Sequence, residues 1–399
     1  MQTCRDWNIS ALPIPKNAEQ AGDILNWLAQ HFELSRGGGA DNVRPMEGLR
    51  GLAVFLVFLV HYVSLVEPWT VPESQALAIA AALHRIGNCG VDLFFVLSGF
   101  LIYGSLLVRK QQYARFMLRR IQRIYPTFTV VFLLYVFLSF VFPSENRIPA
   151  DFAQGVLYLV ENFLLLPGLF PITPIITVAW SLSYEMFYYL AIPFVIAAAG
   201  LRERTPLWRI CFFLLLSGLL VAYCAAHGGH IRLIMFVSGI VLFELLHLGD
   251  QSPRPSGYVG LIALILGLFA TLLPVSGSAG SAIKVCILFV TFLVLCLSCF
   301  QRPSGWLARS FCWTPMRYLG NMSYSYYLIH GLALKVAFLV LSKLLPAATF
   351  DSWFFWAMLP VMFVVTLLAA AGLFLLIERP FSLSASKHRR GTRNAPIPG

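Results

Sequence analysis

Two side chains on one apolar stretch carry the first chemistry. Residues 44–62 read RPMEGLRGLAVFLVFLVHY, a charged start that runs into a hydrophobic segment, with Arg50 near its beginning and His61 near its end. Eleven steps of about 100° return a helix to within about 20° of the same face, and a rise of about 1.5 Å per residue sets the two side chains about 16 Å apart along the axis. One face of such a helix holds a guanidinium at a membrane surface and an imidazole deep inside. An ionisable group at that depth is a functional candidate by default. The alternative is a His bonded to a neighbouring helix for packing.

Other ionisable groups fall at similar depth. The stretch GNCGVDLFFVLSGFLIYG, residues 87–104, contains one acid, Asp92, with Gly99 and Tyr103 on about the same face. A buried carboxylate near a His could orient it and raise its basicity; the alternative is an Asp paired with a helix end or an Arg for stability. In AWSLSYEMFYYL, residues 179–190, Glu185 falls near mid-membrane. An uncompensated carboxylate there costs roughly 2.5–3.5 kcal/mol on insertion scales, so it must be neutral, paired or facing a wet cavity. Arg50 and the Arg119–Arg123 group are its candidate partners.

Between these lies YARFMLRRIQRIYP, residues 113–126. Arg115, Arg119 and Arg123 recur every four residues as one stripe, and Arg120 flanks it. Such a cluster can bind anionic lipid. It can equally hold a phosphorylated cofactor, because guanidinium forks match phosphate oxygens. Near the far end, YLGNMSYSYYLIHGLALK, residues 318–335, sets His330 about twelve residues into a span, where a lone His is more often a satisfied helix contact. Glu378-Arg379-Pro380 reads as a charged, mainly structural stop. Cys296 and Cys299 have C-x-x-C spacing with no His or acid beside them, so they read as helix packing rather than a metal or redox pair.

The elements that must position these groups are membrane helices. Of 399 residues, 58% are hydrophobic and 12% charged, against roughly 25% charged in a soluble domain, and the mean hydropathy is +0.75. Apolar runs near spanning length recur at 50–67, 87–107, 124–142, 175–199, 208–226, 231–248, 257–273, 281–300, 318–342 and 353–377, each close to what about 30 Å of hydrocarbon requires. The fold class expected is all-α, a polytopic membrane protein of about ten transmembrane helices. The net charge of +11 is read for topology, and no nucleic-acid partner is expected. Lys and Arg concentrate in 109–123, 202–209, 302–317 and 379–393, which places both termini in the cytoplasm. Residues 152–170 are apolar enough to span, yet a span there would put the later basic loops outside, so a re-entrant or interfacial helix on the outer side is expected. Residues 1–43 read as a cytoplasmic extension, a floppy leader rather than a surface-bound element, in which Asp23–Leu34 could form one short amphipathic helix before the break at Gly37–Gly39. Residues 44–381 form the transmembrane domain. Residues 382–399 read as a basic, disordered cytoplasmic tail.

Together these stretches resemble the acyltransferase-3 family of bacterial inner-membrane O-acyltransferases. The resemblance covers residues 44–381 and rests on GLRGLAVFLVFLVHY at 48–62, GVDLFFVLSGFLI at 90–102, RRIQRIYP at 119–126, WSLSYEMFYYL at 180–190, LGNMSYSYYLIH at 319–330 and ERP at 378–380, in one order. It implies a ten-helix layout with cytoplasmic ends. It also implies that Arg50 and His61 are the diagnostic pair with His61 catalytic, that Arg119, Arg120 and Arg123 lie near the acyl-CoA, and that Asp92 and Glu185 are the acids of their motifs. Two departures stand out. Many members have Glu-Glu or Glu-Gln after WSLS, where Glu185 is here followed by Met186. Many also carry an SGNH-type periplasmic domain, which these 399 residues do not contain.

The function expected is transfer of an acyl group, acetyl by default, from cytoplasmic acyl-CoA to a hydroxyl of a cell-surface or lipid-linked carbohydrate. His61 would act as general base or brief acyl carrier. Arg50, Arg119, Arg120 and Arg123 would hold the donor phosphates. Asp92 or Glu185 would orient or compensate the imidazolium. The expected partners are membrane lipids, acyl-CoA (acetyl-CoA) and a carbohydrate or glycolipid acceptor. No metal and no permanently bound cofactor are expected, and the expected location is the bacterial inner membrane. The competing class is a proton-coupled transporter or exporter using His61, Asp92, Glu185 and His330 as a relay. Binding of acyl-CoA distinguishes the first from the second.

Overall fold

The computed structural model describes residues 26–34, 44–71, 74–345 and 350–383. Among these, helices account for nearly all regular structure, and β-pairing is confined to two isolated bridges. A helix over residues 26–32, α1, precedes α2 (Arg44–Val66), α3 (Gln75–Gly87), α4 (Cys89–Val108), α5 (Tyr113–Val141), α6 (Phe152–Phe163), α7 (Ala179–Ala198) and α8 (Pro206–His227). Then come α9 (Ile234–Leu246), α10 (Gly257–Ala270), α11 (Gly277–Gln301), α12 (Trp306–Phe311), α13 (Thr314–Asn321), α14 (Ser323–Leu344) and α15 (Ser352–Leu373), which runs into a π-helical segment, Phe374–Leu383.

Eight stretches of helix are long and apolar enough to cross a membrane: α2, α3 with α4, α5, α7, α8, α11, α14, and α15 with its π-segment. The runs at 231–248 and 257–273 are apolar as expected but hold only the 13 residues of α9 and the 14 of α10. At about 1.5 Å per residue these are about 20 Å long, short of the roughly 30 Å core. α9 is almost wholly buried inside the bundle, whereas α10 packs one small-residue face, with Gly260 and Gly267, on α11 and exposes Tyr258, Ile262, Leu266 and Phe269. The run at 318–342 is likewise broken, at Met322, into α13 and α14. Residues 152–170 do not span: α6 is 12 residues long, capped by the Asp151 carboxylate on the Gln154 N–H at 2.9 Å. A loop follows whose turn is held by Asn162, which accepts from the Ile175 N–H at 2.7 Å.

Close backbone contact sets the arrangement around the site. Gly99 of α4 lies on the Phe236 carbonyl of α9 and Gly239 of α9 on the Val96 carbonyl of α4, so a Cβ at either would overlap main chain. Small residues at such a crossing let two membrane helices approach closely. At the end of α2 that carries Arg50, Gly320 of α13 sits against the Glu47 carbonyl in the same way.

The amphipathic helix expected before Gly37 is present in residues 26–32, and it is docked. Phe32 is buried, stacked on Phe374 at 5.6 Å, and its carbonyl accepts from Asn321 Nδ2 at 3.0 Å. Arg317 of α13 joins Glu33 to Glu47, donating to Glu47 from Nε at 2.9 Å. Burial works against the Arg317 charge, but the bonds to the two carboxylates outweigh it and hold its pKa above the usual value. The Gly37–Gly39 break and all of the tail beyond Leu383 lie outside the described residues.

Candidate active site

Four elements, α2, α4, α7 and α14, close around a cavity with about 580 Å³ of space free of atoms, its open mouth included. Arg50 of α2 and Ser323 and Tyr324 of α14 form one side. Val91, Phe94, Phe95, Leu97, Ser98 and Leu101 of α4 face Ser181, Leu182 and Glu185 of α7, and Tyr327 closes the far wall. Arg50 is half-buried, and its Nε and Nη2 donate to the Ser323 hydroxyl at 3.1 and 2.9 Å. Ser323 is the first residue of α14, where the backbone end is already polar, and Arg50 stands in the second turn of α2.

Glu185 lies in the same cavity. It takes a hydrogen bond from Ser98 Oγ at 3.0 Å and another from Tyr189 OH. The partners expected for it were arginines. Two hydroxyls hold it instead, and an arginine stands one side chain behind: Arg120 lies over the Tyr189 ring at 5.6 Å and over the Phe116 ring at 5.5 Å, an arrangement that favours the cation.

The arginine stripe does not act as one patch. Arg119 is exposed and donates to Gln111. Arg123 turns into the protein and pairs with Glu378 of the π-segment at 2.7 Å, under the Tyr324 ring at 5.5 Å. Glu378 is fully buried and also accepts from the Ser325 N–H and hydroxyl at 3.0 and 2.5 Å. The Glu-Arg-Pro stop is therefore structural at Glu378, and it occupies the Arg123 fork that was expected to face a phosphate. Arg120 is half-buried, with its Nε unbonded.

His61 is half-buried and sits against His330 of α14, ring centroids 4.9 Å apart at 66°. The wall residue Tyr327 separates this pair from the cavity: its ring is 6.1 Å from that of His330 and 6.1 Å from that of Phe94. The Tyr327 hydroxyl meets Ser181 Oγ at 2.7 Å and donates to the Val178 carbonyl at 3.1 Å.

Asp92 is not the partner of His61. Its carboxylate, fully buried in the first turn of α4, pairs with Arg232 Nε at 3.7 Å, and neither oxygen has a hydrogen bond. Arg232 lies over Trp180 at 5.6 Å. Neither its level nor its direction around the helix was legible. Gly87 packs on Leu56 and Val60 and Gly90 on Ala53, Leu56 and Val57, which sets Asp92 about two turns from His61 along α2. Asp92 faces the residues before α9, whereas Val91 and Phe94 beside it face the cavity. Among the described residues, no group of three or more His, Cys, Asp and Glu side chains is placed to hold a metal ion.

Ser98, Tyr189 and Arg232 join the site without having been singled out, while Ser323 and Tyr327 belong to the polar run of residues 323–327 that the sequence sets beside His330. Tyr189 had a local signal, standing four residues after Glu185 on the same helical face. Ser98 had none, because it is 87 residues from the side chain it binds.

With this geometry in view, the comparison with known proteins is specific. Residues 45–375 match the family model described as an acyltransferase domain, Acyl_transf_3. The chain belongs to the acyltransferase-3 family. It is 25% identical over 320 residues to the peptidoglycan O-acetyltransferase OatA of Listeria monocytogenes, covering 72% of this chain and 49% of OatA. It is 24% identical over 380 residues to the acyltransferase MdmB of Streptomyces mycarofaciens, covering 88% of this chain and 95% of MdmB. A third relative, an uncharacterized protein of Haemophilus influenzae, is 34% identical over 144 residues, 32% of this chain and 58% of that protein. The chain thus spans about half the length of OatA and nearly all of MdmB. No solved structure matches it.

Proposed function

We propose that this member of the family is an O-acyltransferase of the bacterial inner membrane, taking an acyl group, acetyl by default, from acyl-CoA on the cytoplasmic side to a hydroxyl of a cell-surface or lipid-linked carbohydrate. The observation that carries the reading is one cavity lined by Arg50 and Glu185 whose wall residue Tyr327 neighbours His330, itself packed against His61. Family membership and the names of OatA and MdmB support acyl transfer.

In this reading the donor phosphates meet Arg119, Arg120 and Arg50, whose guanidinium forks suit phosphate oxygens. Arg123 contributes by anchoring the π-segment through Glu378. The pantetheine arm lies between α4 and α7 along apolar side chains and passes Tyr327 to reach His61, about 16 Å from Arg50. His61 removes the proton of the acceptor hydroxyl as its oxygen attacks the thioester carbonyl. The carbon–sulfur bond breaks and the CoA thiolate leaves, taking up the proton. Glu185, held by Ser98 and Tyr189, places negative charge in the cavity where the reacting groups pass. Asp92 and Arg232 fix the start of α4 rather than touching the donor. The chemistry calls for no resident metal.

Deletion of the gene followed by mass spectrometry of the surface glycans tests the reaction class. Loss of an O-acyl group, restored by the wild-type gene, is expected. Identical acylation with and without the gene would refute it.

A further inference from the structure

His330 is fully buried in α14 and is held from one side only. Its Nδ1–H donates to the Tyr326 carbonyl at 2.9 Å, one turn back on the same helix, so Nε2 keeps its lone pair. That Nε2 is buried and has no partner, whereas buried polar atoms nearly always have one. Tyr326 stacks on the ring at 5.4 Å and 15°, which fixes its plane. The ring it meets edge-to-face across the α2–α14 contact is His61.

A neutral imidazole that acts as a base needs one nitrogen bare toward the acceptor and its proton on the other. The group that takes that N–H decides which nitrogen is which. Asp92, the carboxylate expected to do so, is committed to Arg232. The third imidazole near His61, His84 on α3, is half-buried rather than sealed. That leaves the unsatisfied Nε2 of His330, on a ring whose centroid is 4.9 Å from that of His61.

We propose that His330 is a positioning residue for His61: its bare Nε2 accepts the His61 N–H, directly or through one water, and keeps the other His61 nitrogen unprotonated toward the acceptor hydroxyl. This rests on the acyl transfer proposed above. A neutral acceptor suits the depth, because it adds no second ion to the membrane interior. Once His61 has taken the hydroxyl proton, its imidazolium donates the same bond to Nε2, now strengthened by charge.

The test uses full-length protein in proteoliposomes, with acetyl-CoA as donor, water as acceptor, and release of the CoA thiol as the readout. His330→Gln returns a carbonyl oxygen close to the place of Nε2, and His330→Met fills similar volume without it. The Met variant is expected to lose about 100-fold in kcat, within the usual range for acid–base groups. Its KM for acetyl-CoA should stay within about twofold of wild type, the pattern of an interaction made in the transition state. His330→Gln is expected to recover kcat to within about tenfold of wild type. If the Met variant does not fold, His330→Asn, whose amide is too short to reach, takes its place with the same expectation. Full kcat in the Met or Asn variant, or a Gln variant no faster than it, would overturn the proposal. His61→Gln in the same assay separates the two levels. Wild-type turnover there removes the role of His61 and that of His330 with it. An inactive His61→Gln beside a fully active His330→Met removes His330 alone.

Discussion

Glu185 shows what a single carboxylate needs at this depth. Among the described residues it has no ion pair; Ser98 and Tyr189 each give it a hydroxyl hydrogen. Glu185→Gln keeps the shape but turns one acceptor into a donor that faces a hydroxyl. A fall of about 100-fold in acyl transfer is expected, with the protein still folded and still binding acyl-CoA; transfer assayed in membranes at matched protein levels checks it. Much at this scale was readable from the chain. Ionisable side chains in apolar runs are costly enough to mark themselves, and Arg50, His61, Glu185 and His330 marked themselves in this way. Their partners were not readable. Helical phase gives Asp92 only an angle on its own axis, not its level against His61. The rotation of α4 against α2 is set by packing that no local pattern encodes, and it delivers Asp92 to Arg232.

At the scale of elements, the inner pieces do the positioning. The short helix α9 crosses α4 through Gly99 and Gly239, and below that contact a buried cluster ties α4, α8 and α9 together. Arg209 grips both oxygens of Glu244 at 2.6 and 2.7 Å, and Tyr103 donates to the same carboxylate. Glu244 is fully buried, so removing its cation alone strands a charge. Arg209→Met is expected to destabilise the protein by about 3–5 kcal/mol, and the double variant Arg209→Met with Glu244→Leu to recover most of it. Thermal unfolding in detergent measures both. Hydropathy located every apolar run here. It gave α9 and α10 the status of spans because composition reports apolar surroundings, which are the bundle interior for α9 and an exposed apolar face for α10. Length decided otherwise. The docking of α1 was half legible: clustered Ile24, Leu25, Trp27 and Leu28 indicate a helix, but only the folded chain brings Phe32 onto Phe374 and Glu33 to Arg317.

At the scale of the molecule, polarity is arranged along one axis. The end of the bundle with Arg50, Arg119 and Arg120 is rich in guanidinium, while the His61–His330 pair lies farther in, behind Tyr327. A donor whose anionic part stays at the first end and whose thioester reaches the second fits that order. All-helical architecture and the family itself were legible throughout, since both depend on long apolar runs and short motifs that survive without tertiary information. The most direct measurement is transfer of label from radioactive acetyl-CoA to the glycan fraction in sealed membrane vesicles of known orientation, comparing wild type with His61→Ala at equal protein level. Label is predicted only with wild-type protein and only in vesicles whose cytoplasmic face is outward. Equal labelling by the His61→Ala protein would contradict the central role given to that imidazole.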